Sequence, residues 1–391
     1  MKIGIVTLVG DNYGNKYQNF AVEQLLSRYG TVETFSTVSG QPVTSANSVS
    51  LSRRLSPSHI FEALRCRLMG KYGINNVARP IVLNGFYALF HKAEIAKIRK
   101  ERNKAFASFQ KKRLHVSEKI LDAANVRDMQ WVEQFDCFFC GSDQIWNPTY
   151  ATTSELMFLS FANDRSVAIA PSFGLQTLTE EAKKKYGEWL QYVKVLSVRE
   201  ESGQKLIHEL THRNAELLLD PTMALERDQW DALASKPTCS LPKKYLLCYF
   251  LGRIDRTCQR RVRELAAKKG LEIVRLFDVE SPEYYALDPA EVLFCIRNAE
   301  YVATDSFHGT VFSILYHKSF TVFERNEGSL NMFSRIDTLL RFFGLTARTN
   351  ENEAVSEESW EGVDRLLEQE RAHTERFIDE AIKAIKNEAA K

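Results

Sequence analysis

Short apolar strands that run through polar loops into amphipathic helices recur along this chain, and that rhythm leaves few folds open. Met1-Lys2-Ile3-Gly4-Ile5-Val6-Thr7-Leu8 reads as a strand, followed by a polar loop and a helix over 16–28. Phe20, Val22, Leu25 and Leu26 fall on the period of that helix. A strand is expected over 31–38, and buried strands over 135–140, 166–170 and 193–198, with helices over 179–192 and 200–210. Strands that alternate with helices in this way build a parallel, doubly wound sheet. The rhythm breaks at Ser235-Lys236-Pro237-Thr238-Cys239-Ser240-Leu241-Pro242 and then restarts. Strands over 245–250, 272–277, 299–303 and 319–323 alternate there with helices over 255–269 and 289–297 and after Thr310. The expected fold class is therefore α/β, with two Rossmann-like doubly wound domains facing a cleft. The expected boundaries are 1–240, carrying a basic helical insertion at 53–113, then 241–345, then a C-terminal helical segment at 346–391 packing across the domains. An amphipathic helix over 363–386, with Leu367, Phe377, Ile378, Ile382 and Ile385 on its apolar side, dominates that last segment.

A chain of 391 residues suits two such domains. Net charge is only +2, so the chain as a whole is not a polycation built for nucleic acid. The first residues lack a signal peptide's apolar core, and no apolar run is long enough to cross a bilayer. Seven scattered cysteines suit a reducing cytoplasm, and Cys137-x-x-Cys140 lies inside an apolar strand and reads as core packing. The expected location is cytoplasmic, with peripheral contact at the cytoplasmic face of the inner membrane. That contact is suggested by residues 53–113, where fifteen Lys and Arg accompany three Glu. Interleaved with Phe61, Leu64, Leu68, Phe86 and Phe90, they suit an anionic membrane surface or a pyrophosphate-bearing substrate. A solvated insertion balancing the acidic C-terminal helix accounts for them equally well.

Ligands of doubly wound sheets bind at the carboxyl ends of strands, where loops and helix N-termini converge. The loop Asn12-Tyr13-Gly14-Asn15-Lys16-Tyr17-Gln18 combines a glycine with amide side chains suited to sugar hydroxyls. It is not the G-x-G-x-x-G pattern of a dinucleotide site. Gly141-Ser142-Asp143-Gln144-Ile145-Trp146-Asn147 places a carboxylate beside an aromatic face, again suited to a sugar. Arg199 follows a buried strand and can fork onto a carboxylate or phosphate; Asp220 and Arg253 also close strands. In Thr304-Asp305-Ser306-Phe307-His308-Gly309-Thr310 a strand turns into a helix, whose free N–H groups and dipole favour an anion beside His308. Turn and capping chemistry alone also accounts for these residue types.

Together these pieces resemble the polysaccharide pyruvyl transferases. The resemblance rests on Asn12-Tyr13-Gly14-Asn15-x-x-Gln18, Gly141 to Asn147, Ser197-Val198-Arg199-Glu200, Asp220-Pro221-Thr222 and Thr304 to Gly309, and covers roughly 1–323. It implies a glycosyltransferase-B-like architecture, with acceptor bound by the first domain and donor by the second. Phosphoenolpyruvate is the implied donor and a sugar diol the acceptor, galactose-like and carried in some pathways on a polyprenyl pyrophosphate. No metal and no resident cofactor are expected. His308 is expected as general acid or phosphate ligand, Arg199 and Arg253 as clamps for carboxylate and phosphate, and Asp143 as base. Gly309 and Thr310 are expected to supply backbone N–H groups to the ligand. The other expected substrate-binding residues are Asn12, Tyr13, Gly14, Asn15, Gln18, Gly141, Ser142, Gln144, Trp146, Asp305 and Ser306. Well-studied relatives carry an arginine where this chain has Ser306, so Arg253 or Arg325 is expected to replace that clamp. A nucleotide-sugar glycosyltransferase of the same fold and a non-catalytic membrane-peripheral scaffold remain the alternatives.

Overall fold

The computed structural model describes residues 1–37, 91–122, 130–252, 254–324, 332–346 and 358–389. In its first lobe lie β1 (Lys2–Val6), β2 (Thr31–Thr37), β3 (Val116–Leu121), β4 (Cys137–Asp143) and β5 (Ser166–Pro171). They form one sheet in the order β3-β2-β1-β4-β5, with every pairing parallel. Ile3, Ile5, Val6, Phe138, Phe139 and Cys140 have no exposed surface, as strands covered by helices on both faces require. Cys137 and Cys140 are core side chains.

Helix α1 (Tyr13–Ser27) follows β1, and α2 (Lys92–Arg113) leads into β3. Next come α3 (Glu180–Trp189), β6 (Ser197–Val198), α4 (Glu201–Thr211), β7 (Glu216–Leu217), α5 (Pro221–Ala224) and α6 (Arg227–Leu233). Helix α1 starts three residues earlier than its apolar period suggests, because the Asn12 side chain accepts the Gly14 N–H at 2.8 Å and caps it. The strand expected over 193–198 shrinks to a single bridge at Val195 and the pair Ser197–Val198. There the Ser197 hydroxyl replaces ladder bonds, accepting from Ala170 N and donating to Ala168 O.

The second lobe holds β8 (Tyr245–Tyr249), α7 (Arg256–Lys269), β9 (Glu272–Arg275), α8 (Pro282–Tyr285), α9 (Pro289–Asn298), β10 (Tyr301–Thr304), α10 (Phe307–Leu315) and β11 (Ser319–Val322). Its strands are all parallel, in the order β11-β10-β8-β9. Two Rossmann-like units thus make up the molecule, as the strand–helix rhythm requires. Helices α11 (Met332–Phe342) and α12 (Glu358–Ala389) follow.

The two lobes share one apolar core rather than meeting at a wet hinge. Tyr13 and Tyr17 of α1 donate their hydroxyls to Leu287 O and Pro289 O, at 2.6 and 2.8 Å. The Tyr17 ring meets Phe312 edge-on at 4.8 Å, and Trp230 packs against Phe312 at 4.9 Å. Helix α12 straps both lobes. Its Glu375 and Asp379 hold Arg28 and Tyr29, Arg371 donates to Met223 O and Leu225 O, and Asp364 pairs with His317.

Of the basic stretch 53–113, residues 53–90 lie outside the described residues. Helix α2 is not a free amphipath. Ile95 and Ile98 pack on Val279 and Tyr285 of the second lobe. Arg102 is buried, donates to Asp11 O at 3.1 Å and lies over the Phe106 ring at 4.3 Å. Lys97, Lys100, Lys104, Lys111, Lys112 and Arg113 are exposed. Among the described residues no helix is long and apolar enough to cross a membrane.

Candidate active site

A chain of charges joins the carboxyl edges of the two sheets. Asp143, the last residue of β4, has a left-handed φ of 62°. The strand end before it tolerates only glycine: a Cβ on Gly141, at φ 129°, would meet Ile169 O at 2.1 Å. Asn15 donates to Asp143 Oδ2 at 2.7 Å, and Arg199 Nη2 lies 3.5 Å from Oδ1. The other Nη of Arg199 grips Asp220 Oδ2 in a very short ion pair. Asp220 caps α5, accepting from the Thr222 amide at 3.0 Å and the Thr222 hydroxyl at 2.6 Å. Its Oδ2 lies 4.0 Å from His308 Nε2. From the second lobe Arg335 brings Nη1 to 3.9 Å from Asp143 Oδ1. With the Gln144 amide turned to satisfy its neighbours, its oxygen accepts from Arg335 at 2.8 and 3.1 Å. The Phe307 ring sits beside both guanidiniums, 4.9 Å from Arg199 Cζ and 5.6 Å from Arg335 Cζ.

Burial and neighbouring charge together set the protonation states. Burial favours the neutral form of His308 and outweighs the pull of Asp220 and Asp143, so the imidazole lies below its ordinary value and is uncharged at neutral pH. Burial also opposes charge on Arg199, yet Asp220 and Asp143 raise its value above the ordinary one. Asp220 would be raised by burial, but Arg199, His308 and the Thr222 bonds hold it below the usual carboxylate range. Arg335 is lowered by burial and by the nearby charge of Arg199. His308 Nε2, Arg199 Nε and Glu200 Oε2 are buried without a hydrogen-bond partner. Three such atoms at one cluster leave hydrogen-bonding capacity that a ligand or ordered water can fill. Beside it opens a cavity of about 860 Å³ whose wall includes Arg199, Glu200, Asp220, Phe307 and Arg335. His308 is not itself part of that wall; it adjoins it through Asp220, at 4.0 Å, and through its neighbour Phe307, with ring centroids 5.4 Å apart.

The two sequence-marked loops meet at Gly14, where an added Cβ would lie 2.3 Å from His308 Nδ1. The first lobe therefore forms part of the seat of the second lobe's histidine. Several residues read as substrate ligands are engaged elsewhere. Trp146 is core, stacked on Phe158 at 4.8 Å with its indole N–H on Met157 O, and offers no face to a sugar. Asn12 is a cap, and Tyr13 ties the lobes together. Gln18 bonds Thr7 Oγ1 and accepts from Ser142 N, while the Ser142 hydroxyl donates to Ala170 O. Asp305 holds the amides of Leu251 and Gly252, both at 2.7 Å. Ser306 caps α10, taking the Gly309 N–H on its hydroxyl and the Thr310 N–H on its carbonyl, so neither amide is open to a ligand. Arg253 and Arg325 lie outside the described residues.

Arg335 and the carboxylate of Asp220 are the members of the cluster that sequence reasoning left without a role. The available signal for Arg335 was an arginine set between Phe333 and Ile336 in an amphipathic helix. Asp220 was noticed at a strand end, but only the fold shows that it links Arg199 to His308.

The sequence from 12 to 327 matches the family model described as Polysaccharide pyruvyl transferase. No curated protein sequence matches the chain. Among solved structures, the kitacinnamycin glycotransferase is similar at 12% identity and a TM-score of 0.43, covering 98% of this chain and 99% of that one. The UDP co-structure of MnaA from S. aureus shares 9% identity at a TM-score of 0.40, covering 96% of this chain and 90% of that one. HepE from Anabaena, in complex with UDP and glucose, shares 9% identity at a TM-score of 0.40, covering 98% of this chain and all of that one (100%).

Proposed function

Because this chain belongs to the polysaccharide pyruvyl transferase family, we propose that it moves the enolpyruvyl group of phosphoenolpyruvate onto two hydroxyls of a sugar, yielding a pyruvate ketal and phosphate. The methylene carbon of the donor takes a proton and becomes a methyl group. One acceptor hydroxyl bonds the resulting electrophilic carbon, the carbon–oxygen bond to phosphate breaks, and the second hydroxyl closes the ketal. Of the two hydroxyl protons, one balances the proton taken up by carbon and the other leaves with phosphate.

The observation that carries this reading is the unpartnered Nε2 of a buried His308, 4.0 Å from Asp220 and next along the chain to Phe307, whose ring lies beside the guanidiniums of Arg199 and Arg335. A neutral imidazole cannot donate a proton until it gains one. The negative charges of the arriving donor raise its proton affinity and make it the acid for the methylene carbon. Arg335 and Arg199 receive the donor's carboxylate and phosphate, and Arg335 takes the clamping role of the arginine absent at Ser306. Asp143, steadied by Asn15 and Arg199, accepts a proton from an acceptor hydroxyl. In this reading the donor sits where the lobes meet, between Arg199 of the first and Arg335 of the second, and Asp143 of the first lobe serves the acceptor. The acceptor is a galactose-like sugar joined through its 4- and 6-hydroxyls in surface-polysaccharide synthesis. Where it rides on a polyprenyl pyrophosphate, the exposed lysines of α2 meet the carrier at the membrane face. Arg102 takes no part in that contact, since it is buried.

The test supplies phosphoenolpyruvate with a panel of sugars and follows inorganic phosphate and a pyruvyl mass gain on the sugar. Both are expected together. Turnover of nucleotide sugars with none of phosphoenolpyruvate overturns the reading.

A further inference from the structure

The cavity wall that carries Arg335 continues beyond it. On α11, Arg335, Thr338, Leu339 and Phe342 are spaced three, four and seven residues apart, so they share one helix face, and all four line the cavity. Seven residues of helix rise about 10 Å, roughly the reach of two linked pyranose rings. At the far end the Phe342 ring is 41% exposed, a rare state among the large apolar side chains described. The buried Phe343 braces it edge-on, with ring centroids 4.9 Å apart. Gln176 and Thr177 of the loop after β5 and Lys205 and Glu209 of α4 line the same cavity.

These features separate two ends of one space. The inner end, at Arg199, Phe307 and Arg335, is cationic and suits the small anionic donor. The rest of the lining adds an exposed aromatic ring and amide, hydroxyl and charged side chains. That is the chemistry of a pyranose site: the apolar C–H face lies on the ring while hydroxyls reach the polar wall. A cavity of about 860 Å³ falls in the range of roughly 300–1,000 Å³ that takes a drug-sized ligand, larger than a three-carbon donor with one sugar requires.

Resting on the pyruvyl-transfer reading, we propose that Phe342 is the platform for the second ring of the acceptor, next to the ring that receives pyruvate. The enzyme accordingly prefers an oligosaccharide to a single sugar, and α11 sets that preference by carrying the donor clamp at one end and the stacking ring at the other.

The experiment measures phosphate release from phosphoenolpyruvate by the full chain with methyl galactoside and with lactose, a galactose-terminated disaccharide. In the wild type the KM for lactose is expected about tenfold below that for the single ring. Phe342→Ala is expected to erase this advantage by raising the lactose KM about tenfold, while Phe342→Trp, which restores an aromatic face, keeps it. An advantage that survives Phe342→Ala overturns the platform. Failure of the wild type to release phosphate with either sugar counts against pyruvyl transfer to galactose instead. The platform is then judged by saturation-transfer NMR of lactose at millimolar concentration. Binding that is lost in Phe342→Ala and kept in Phe342→Trp supports it; equal binding in wild type and Phe342→Ala, or no binding to the wild type, sinks it.

Discussion

The loop between β1 and α1 and the loop between β10 and α10 are built from the same parts and hold their side chains in opposite ways. Each ends a buried parallel strand, and each starts a helix with a polar cap, Asn12 in one lobe and Ser306 in the other. In the first loop the functional side chains turn inward to protein partners: Tyr13 to Leu287 O, Asn15 to Asp143, Lys16 to Gln110 and Gln18 to Thr7. In the second, Thr304, Asp305, Ser306 and Thr310 are bonded in the same manner, but His308 keeps a buried ring nitrogen without a partner. In the proposed reading one loop is a mount and the other carries the working group. Polar residues at a strand end are therefore a poor guide to chemistry until their bonds have been traced.

The comparison breaks most directly at His308. His308→Ala should lower phosphate release from phosphoenolpyruvate by roughly 10²–10⁴-fold, the range for a lost general acid, with the fold intact by circular dichroism. Near-normal turnover would demote the second loop to the same structural standing as the first. The next largest effect is expected from the mount itself. Gly14→Ala places a methyl group 2.3 Å from His308 Nδ1, and the ring must shift to make room. Displacing a reacting group by about 1 Å can cost around 10²-fold, so kcat should fall by that order although Gly14 carries no side chain. A Gly14→Ala enzyme with native kcat would show that the ring is not seated by the first lobe.

How far the sequence reached is visible in these same residues. The two-lobed fold was legible because strands buried on both faces read as continuous apolar runs, as in Val6 and Phe138–Cys140. His308, Arg199 and Asp143 were legible as polar residues at strand ends, where the topology must bring them near one another. Trp146 was misread because a tryptophan in a polar loop looks exposed; its burial depends on Phe158 and on Met157 O, contacts no local pattern specifies. Arg335 was missed for a related reason. It lies far along the chain from Asp143 and Gln144, and only the packing of the second lobe against the first makes them neighbours.

Arg335 and Asp220 sharpen the comparison further, since each supports the working loop from outside it. Arg335→Lys keeps the charge but loses the planar fork, and should raise the KM for phosphoenolpyruvate about tenfold, with a smaller change for the sugar. Equal effects on both substrates would remove it from the donor site. For Asp220 the informative readout is the pH profile. Because His308 must gain a proton before it can act as the acid, kcat/KM falls as pH rises through its lowered free-enzyme value. Asp220→Asn removes a charge that raises that value, so the fall should move to lower pH. The stability profile has a determined sign too. Buried neutral His308 binds its proton less readily than the unfolded chain does, so its contribution is complete above the ordinary value of 6.5 and declines as pH falls from there toward the native value. His308→Asn should flatten that part of a melting-temperature series.

The smallest effects belong to the polar side chains of the mount, Tyr13 and Asn12, and should leave the chemistry alone. Tyr13→Phe leaves Leu287 O without its buried donor and should cost roughly 1–3 kcal/mol of stability. Asn12→Ala uncaps α1 and should cost about 1 kcal/mol, because one first-turn amide loses its acceptor while the rest of the helix stays packed against Trp230 and Phe312. Urea melts of Asn12→Ala beside steady-state phosphate release decide what kind of residue Asn12 is. A mount predicts a lower midpoint with the sugar KM near wild type. A raised sugar KM at unchanged stability would instead make Asn12 a ligand, and the first loop would then carry chemistry of its own.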